Sequence, residues 1–235
     1  MMRFRLTSSL LALTLLACAN RDSAGAARTA DAATLQPSSV VPGDSANALL
    51  AKADAGRILG DPKASVWLII ISDFQCPYCR QWHEESWEAI RKEYVETGRI
   101  RVAYVNLPLE MHPNAMPAAQ VAMCAAVQGK FWPVQDAIFR TQKAWKDLAD
   151  AQPFFEKLAG DAGANVDTLR ACVTSKATRP LIQGDIDRAM RAGAQSTPTF
   201  FVGGQPMIGA QPLAAFRGAI EAALATKPAA KPAAK

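Results

Sequence analysis

Residues 66–71 read Val-Trp-Leu-Ile-Ile-Ile, six apolar side chains in a row. Such a run has no polar alternation, so neither face of a strand built from it can meet water. A strand covered on both sides belongs to a parallel sheet packed between helices. The next signal is helical. From about Cys76 to Gly98 the apolar residues Trp82, Trp87, Ile90 and Tyr94 recur at helical spacing and are expected to face the core. Pro77 in the first turn and Gly98 at the end punctuate this helix. Residues 100–109 supply a second strand, so strand, helix and strand form a parallel βαβ unit.

The rest of the chain follows the same logic. Residues 113–194 have helical periodicity and no strand signal, with Gly129, Gly160 and Gly193 as expected helix terminators. Residues 197–204 and 205–210 read as two short strands joined at Gly203-Gly204, followed by a last helix from about Pro212 to Ala225. No internal repeat is present. Residues 19–48 are rich in Ala, Ser, Thr and Asp and lack the apolar material for a core. A tether over 18–50 is expected, spanning about 30 Å as a random coil, with a domain over 51–226 and a disordered tail over 227–235.

The chain carries a formal charge of +5. Residues 45–226 hold 19 Lys+Arg against 18 Asp+Glu, so the excess lies at the ends, in Arg3, Arg5, Lys227, Lys231 and Lys235 among others. No basic stripe with interleaved aromatics appears, which argues against a nucleic-acid partner.

Residues 1–17 have the pattern of a secretory leader: Arg3 and Arg5, then an apolar stretch from Leu10 to Ala17, too short to span a bilayer. Ala17-Cys18-Ala19 fits a small-x-small cleavage site that releases a soluble protein, whereas Leu15-Leu16-Ala17-Cys18 resembles the bacterial lipobox, in which Cys18 is lipidated. The lipobox reading also accounts for an odd fifth cysteine. Either reading places the mature protein on the periplasmic side of the cell envelope, where disulfides persist.

Setting Cys18 aside leaves Cys76, Cys79, Cys124 and Cys172, for which three pairings exist. Cys76 and Cys79 form the single C-x-x-C, and with two histidines in the whole chain a four-ligand metal site is poorly supplied. As a staple the pair is also poor. Closing a four-residue loop contributes about 2 kcal/mol, against about 4 kcal/mol for a loop the size of 124–172. Electron transfer fits better. Cys76 stands where a strand ends and a helix begins, facing unpaired N–H groups and the positive end of the helix dipole. Both favour thiolate, the nucleophile and the better leaving group. Cys79, one turn on, can reach any mixed disulfide formed at Cys76. Cys76 is thus expected to be the exposed sulfur and Cys79 its buried resolving partner.

The stretch from Gly60 to Cys79, GDPKASVWLIIISDFQCPYC, followed far downstream by Ser196–Gly204, STPTFFVGG, resembles the DsbA-like branch of the thioredoxin superfamily over about residues 58–224. The resemblance implies an α/β thioredoxin fold with an inserted helical domain at about 111–194. It implies a cis Pro198 facing the cysteine pair, Thr197 near the sulfurs, and a client chain pairing with the segment before that proline. It also implies a Cys124–Cys172 bond. In function it implies a thiol–disulfide oxidoreductase without a cofactor, acting on exported proteins with cysteines. Its redox partner would lie in the membrane, a quinone-linked oxidase or a reductase. The oxidase direction is the expected one, because a stable Cys76 thiolate makes the disulfide form oxidising; a reductase or isomerase and a metallochaperone on the same scaffold are the alternatives. One departure stands out: the position six before the first cysteine, commonly acidic in relatives, is Ile70, and Asp73 is expected at the strand's mouth instead. His83 is expected in a partly exposed packing role, and His112 has no assigned one.

Overall fold

The computed structural model describes residues 45–226. The expected leader (1–17), the lipidation residue Cys18, residues 18–44 of the tether and the tail at 227–235 lie outside the described residues.

Helix α1, Ser45–Gly56, opens the described chain. It takes in residues 45–50, which the sequence reading assigned to the tether. The reason is apolar: Leu50 packs on the core and Ala53 is fully buried within it. Strand β1, Ile58–Gly60, is too short to leave a signal in the sequence. It precedes β2, Val66–Ser72. Helix α2 then runs over 77–95 as alternating segments, Pro77–Trp82, His83–Trp87, Glu88–Ile90 and Arg91–Val95. The second and fourth are wide π-helical turns. Trp82 and Trp87 are five residues apart, a spacing that a wide turn brings onto one face, and their rings lie 6.1 Å apart. Trp82, Trp87, Ile90 and Tyr94 are all buried, and Gly98 ends the helix at φ +72°.

Strand β3 is Ile100–Asn106. The insertion that follows is helical: α3 Ala115–Val127, α4 Phe131–Arg140, α5 Gln142–Trp145, α6 Gln152–Asp161, α7 Val166–Thr174 and α8 Arg179–Arg191. Gly129 and Gly193 stop helices at positive φ, as expected, but Gly160 does not. It sits inside α6, where a Cβ would come within 2.8 Å of Val166 Cγ2; close packing is its reason for being glycine, and Gly163 makes the turn. Strands β4, Thr199–Val202, and β5, Gln205–Ile208, form the hairpin, and α9, Leu213–Thr226, closes the fold.

The sheet order is β1-β3-β2-β4-β5. Among the described strands only β2 and β3 pair in parallel, with Ile70 beside Tyr104 and Ser72 beside Asn106; β4 runs antiparallel to β2. The unbroken apolar run divides its side chains between two cores. Ile69, Ile71, Ala103 and Val105 face Ala189 of α8. Leu68, Ile70, Val102 and Tyr104 face α2, α9 and the insertion, together with both free cysteines. A buried ionic cluster ties the first face down: Arg57 pairs with Asp54 and with Asp185 of α8, and Asp185 also accepts from the Asn106 amide and side chain.

Candidate active site

β2 delivers the chain to a loop, Asp73–Gln75, that the whole fold clamps. The Asp73 carboxylate, fully buried, accepts from the backbone N–H of Gln75 at 2.7 Å and of Cys76 at 3.2 Å. Its other oxygen accepts from Leu109 N–H at 2.8 Å and meets His112 Nδ1 at 2.7 Å. Asp73 thus joins the ends of the two parallel strands. From the insertion, Gln142 Nε2 donates to the carbonyls of Phe74 (2.8 Å) and Cys76 (3.0 Å). Gln75 donates to the Lys146 carbonyl and accepts from Asn114 N–H.

This clamp fixes Cys76 as the N-cap of α2, extended at φ −65°, ψ 126°, with Pro77 in the first turn. The two sulfurs differ sharply in environment. Hydrogen bonding from the Cys79 thiol is the largest influence on Cys76. Burial opposes it, and contact with Thr197 and the backbone N–H groups of Cys79 and Tyr78 add to it, so that the Cys76 thiol is lowered to about 6. Helix-end N–H groups, the cause expected from the sequence, therefore act, but behind the neighbouring thiol. Cys79 is driven the opposite way: burial, then the Cys76 sulfur, push its thiol well above the ordinary range. Its sulfur accepts from the Asp73 backbone N–H at 3.5 Å.

Cys76 is not the open sulfur that its position suggested, with only 4 % of its surface exposed against 1 % for Cys79. The loop before β4 covers it. Cys76 Sγ lies 3.4 Å from the Thr197 carbonyl oxygen, the Thr197–Pro198 peptide bond is cis, and the buried Thr197 hydroxyl has no well-formed hydrogen bond. Cys76, Cys79, Thr197 and Pro198 are therefore brought together, while Cys124 and Cys172 are not part of this site. Those two are bonded to each other, joining α3 to α7 across a sequence separation of 48 with a Cα–Cα distance of 5.9 Å.

His83 departs from its expected exposure. It is buried beneath α4, stacked on Phe139 at 4.9 Å and 3.3 Å from Gln135 Nε2. Burial first, then the Arg140 charge, lower its pKa to about 4. Three side chains at the site were given no role by the sequence reading or were passed over: His112, Gln75 and Gln142. Gln142 has one faint signal, a buried amide in an otherwise amphipathic helical stretch. Ile70 lies buried in β2, and Asp73 occupies the strand's mouth.

The sequence profile described as thioredoxin matches residues 52–222. Among curated proteins, the chain is 32% identical over 174 residues to "Na(+)/H(+) antiporter NhaA 3" of Salinispora tropica, covering 74% of this chain and 25% of that protein. It is 25% identical over 149 residues to "Probable disulfide bond formation protein D" of Bacillus anthracis, covering 62% of this chain and 69% of that protein. The chain thus spans about a quarter of the length of the antiporter relatives it matches. Among solved structures it is similar to oxidised BdbD from Bacillus subtilis, with a TM-score of 0.67 at 20% identity over 73% of this chain and 94% of that one. Wolbachia pipientis alpha-DsbA1 gives 0.65 at 22% identity over 72% and 91%. With its βαβ core, its helical insertion and the cysteine pair at the head of α2, the chain belongs to the thioredoxin family and has the DsbA-like form of its fold.

Proposed function

We propose that the chain is an exported thiol–disulfide oxidoreductase that works through Cys76 and Cys79, as a dithiol oxidase. One observation carries the reading: two sulfurs a single turn apart are pushed in opposite directions, Cys76 down to about 6 and Cys79 well up. A stable thiolate at Cys76 makes the reduced pair the favoured state, so the disulfide form is oxidising. A client thiolate attacks Cys76 Sγ of the disulfide. The Cys76–Cys79 bond breaks, its electron pair stays on Cys79, and a mixed disulfide forms at Cys76. A second client thiolate then attacks the client sulfur of that bond, and Cys76 leaves as thiolate. Thr197 and Pro198 border Cys76 and present the edge on which an extended client chain pairs.

A membrane partner, quinone-linked in this direction, reoxidises the pair; a reducing partner would run the same residues as a reductase. Lipidation at Cys18 would hold the domain at the periplasmic membrane face, and mass spectrometry of the mature N-terminus tests it. The function is tested by equilibrating the protein with glutathione buffers. A pair far more oxidising than thioredoxin, at about −270 mV, is the expected result, and one near thioredoxin overturns the oxidase direction. Metal retained by the reduced protein and lost in Cys76→Ser would favour the metallochaperone instead.

A further inference from the structure

Thiol–disulfide exchange consumes thiolates, yet a client cysteine arrives mostly as thiol: at about pH 7 only a few per cent of it is ionised. Cys76 and Cys79, bonded to each other in the oxidised protein, cannot take that proton. Of the two histidines in the chain, His83 is buried beneath α4, and His112 stands beside the cysteine loop with its ring held in the manner of a base. His112 Nδ1 lies 2.7 Å from Asp73 Oδ2. The Asp73 side chain is fully buried, whereas the imidazole keeps 17 % of its surface exposed. Three backbone N–H groups already donate to the Asp73 carboxylate, those of Gln75, Cys76 and Leu109. The imidazole is therefore the fourth donor, as Nδ1–H, and the lone pair falls on Nε2. A ring fixed in one tautomer by a buried carboxylate is the arrangement that orients a catalytic base.

The placement agrees. His112 lines a cleft of about 830 Å³ together with Gln75 and Pro77, the two chain neighbours of Cys76. Gln142, which donates to the Cys76 carbonyl, lines the same cleft, and the Asp73 carboxylate bridges the imidazole to the Cys76 N–H. The charged groups around the ring are Asp73 behind it, Glu110 two residues before it in the chain, and Arg80, Lys143, Lys146 and Asp147 on the cleft wall. Three cations against one carboxylate on that wall favour an incoming thiolate.

We propose that His112 is a catalytic base for the client, its Nε2 taking the thiol proton as the client sulfur attacks Cys76 Sγ. The new S–S bond joins the client to Cys76, the Cys76–Cys79 bond breaks, and its electron pair stays on Cys79. The client cysteine is oxidised and Cys79 is reduced. The imidazolium, stabilised by Asp73, then passes its proton to water. Asp73 is a positioning residue in this step. The proposal rests on the oxidoreductase reading and supplies the acceptor for its first proton.

The test mixes the oxidised full-length protein with an unstructured peptide carrying one cysteine, and acid-quenched mass spectrometry follows the mixed disulfide at Cys76 across a pH series. His112→Gln keeps an N–H for Asp73 and removes the base. At about pH 7 the variant should react about tenfold more slowly, within the ceiling of about thirtyfold set by the ionised fraction of a thiol with a pKa of about 8.5. Above about pH 9, where the peptide supplies its own thiolate, the two rates should converge. In the wild type the rate should climb less steeply below about pH 8.5 than the roughly tenfold per pH unit that attack by preformed thiolate alone would give. Equal rates at neutral pH would overturn the proposal, and so would a deficit that persists in alkali, which points to loosened structure. If His112→Gln does not fold, a full tenfold climb in the wild type overturns it just as well. A wild type that forms no mixed disulfide at any pH would bring down the oxidoreductase reading too, whereas a mixed disulfide without this pH signature counts against the His112 role alone.

Discussion

The molecule holds two cysteine pairs, and they are built in opposite ways. Cys124 and Cys172 come from two helices of the insertion and are bonded to each other across 48 residues. Their surroundings are largely alanine and other apolar side chains, with Thr178 the polar neighbour at 3.7 Å. Cys76 and Cys79 lie one helical turn apart and are also buried, but burial drives the Cys79 thiol up while hydrogen bonding, first from the Cys79 thiol, draws the Cys76 thiol down. Burial alone therefore says little about what a cysteine does. Closing a long loop restrains the unfolded chain, whereas closing a tight pair restrains it about half as much in free energy and leaves the bond freer to open. The difference lies in loop length and in the polar groups that meet the sulfur.

The comparison breaks most visibly by substitution at the short pair. Cys76→Ser should abolish exchange with a model dithiol, whereas Cys79→Ser should accumulate a mixed disulfide at Cys76 that mass spectrometry detects. Removing the long pair, Cys124→Ala with Cys172→Ala, should do the reverse. Stability falls by about 4 kcal/mol, a drop in Tm of roughly 8–16 °C for a domain of this size, while exchange at low temperature continues. If exchange fell as far as stability, the division of labour would be wrong.

His83 sharpens the contrast from the insertion's side. Its folded pKa is depressed from 6.5 to about 4, so the unfolded chain takes up the proton first. The stability it provides is complete above about pH 6.5 and is lost as the pH falls toward 4. In a His83→Gln variant, denaturant titrations between those values should show a flatter pH dependence, with up to about 3 kcal/mol less variation. The smallest effect is expected at Gln142, whose amide ties α5 to the cysteine loop. Gln142→Met removes two hydrogen bonds to carbonyls and should cost about 1–3 kcal/mol with a severalfold change in exchange rate.

Much of this architecture was legible because it is local. The run 66–71 announced a two-sided strand, Pro77 and Gly98 bracketed α2, and Gly203-Gly204 marked the hairpin, each by a rule that acts over a few residues. The cysteine pair was legible for the same reason. What escaped notice depends on long-range closure. Helix α1 draws its stability from packing on α3, against which Gly56 lies so close that a Cβ would meet Ala126 O at 2.4 Å. Burial of Cys76 comes from a loop 121 residues away, and His83 is covered by α4, across a separation of 52 residues from Gln135. The role of Asp73 as a clamp required its partner Leu109 and His112 to arrive from the neighbouring strand. None of these has a periodicity to read.

Reaction of reduced Cys76 with iodoacetamide across a pH series tests the central claim most directly. A depressed folded pKa also means that the reduced protein loses stability relative to the oxidised one as the pH falls through about 6, the thiolate's contribution being complete only above the ordinary cysteine value of about 8.5. The account predicts an alkylation midpoint near pH 6 at Cys76, with Cys79 silent throughout. A midpoint near that of a free cysteine, about 8.5, would contradict it.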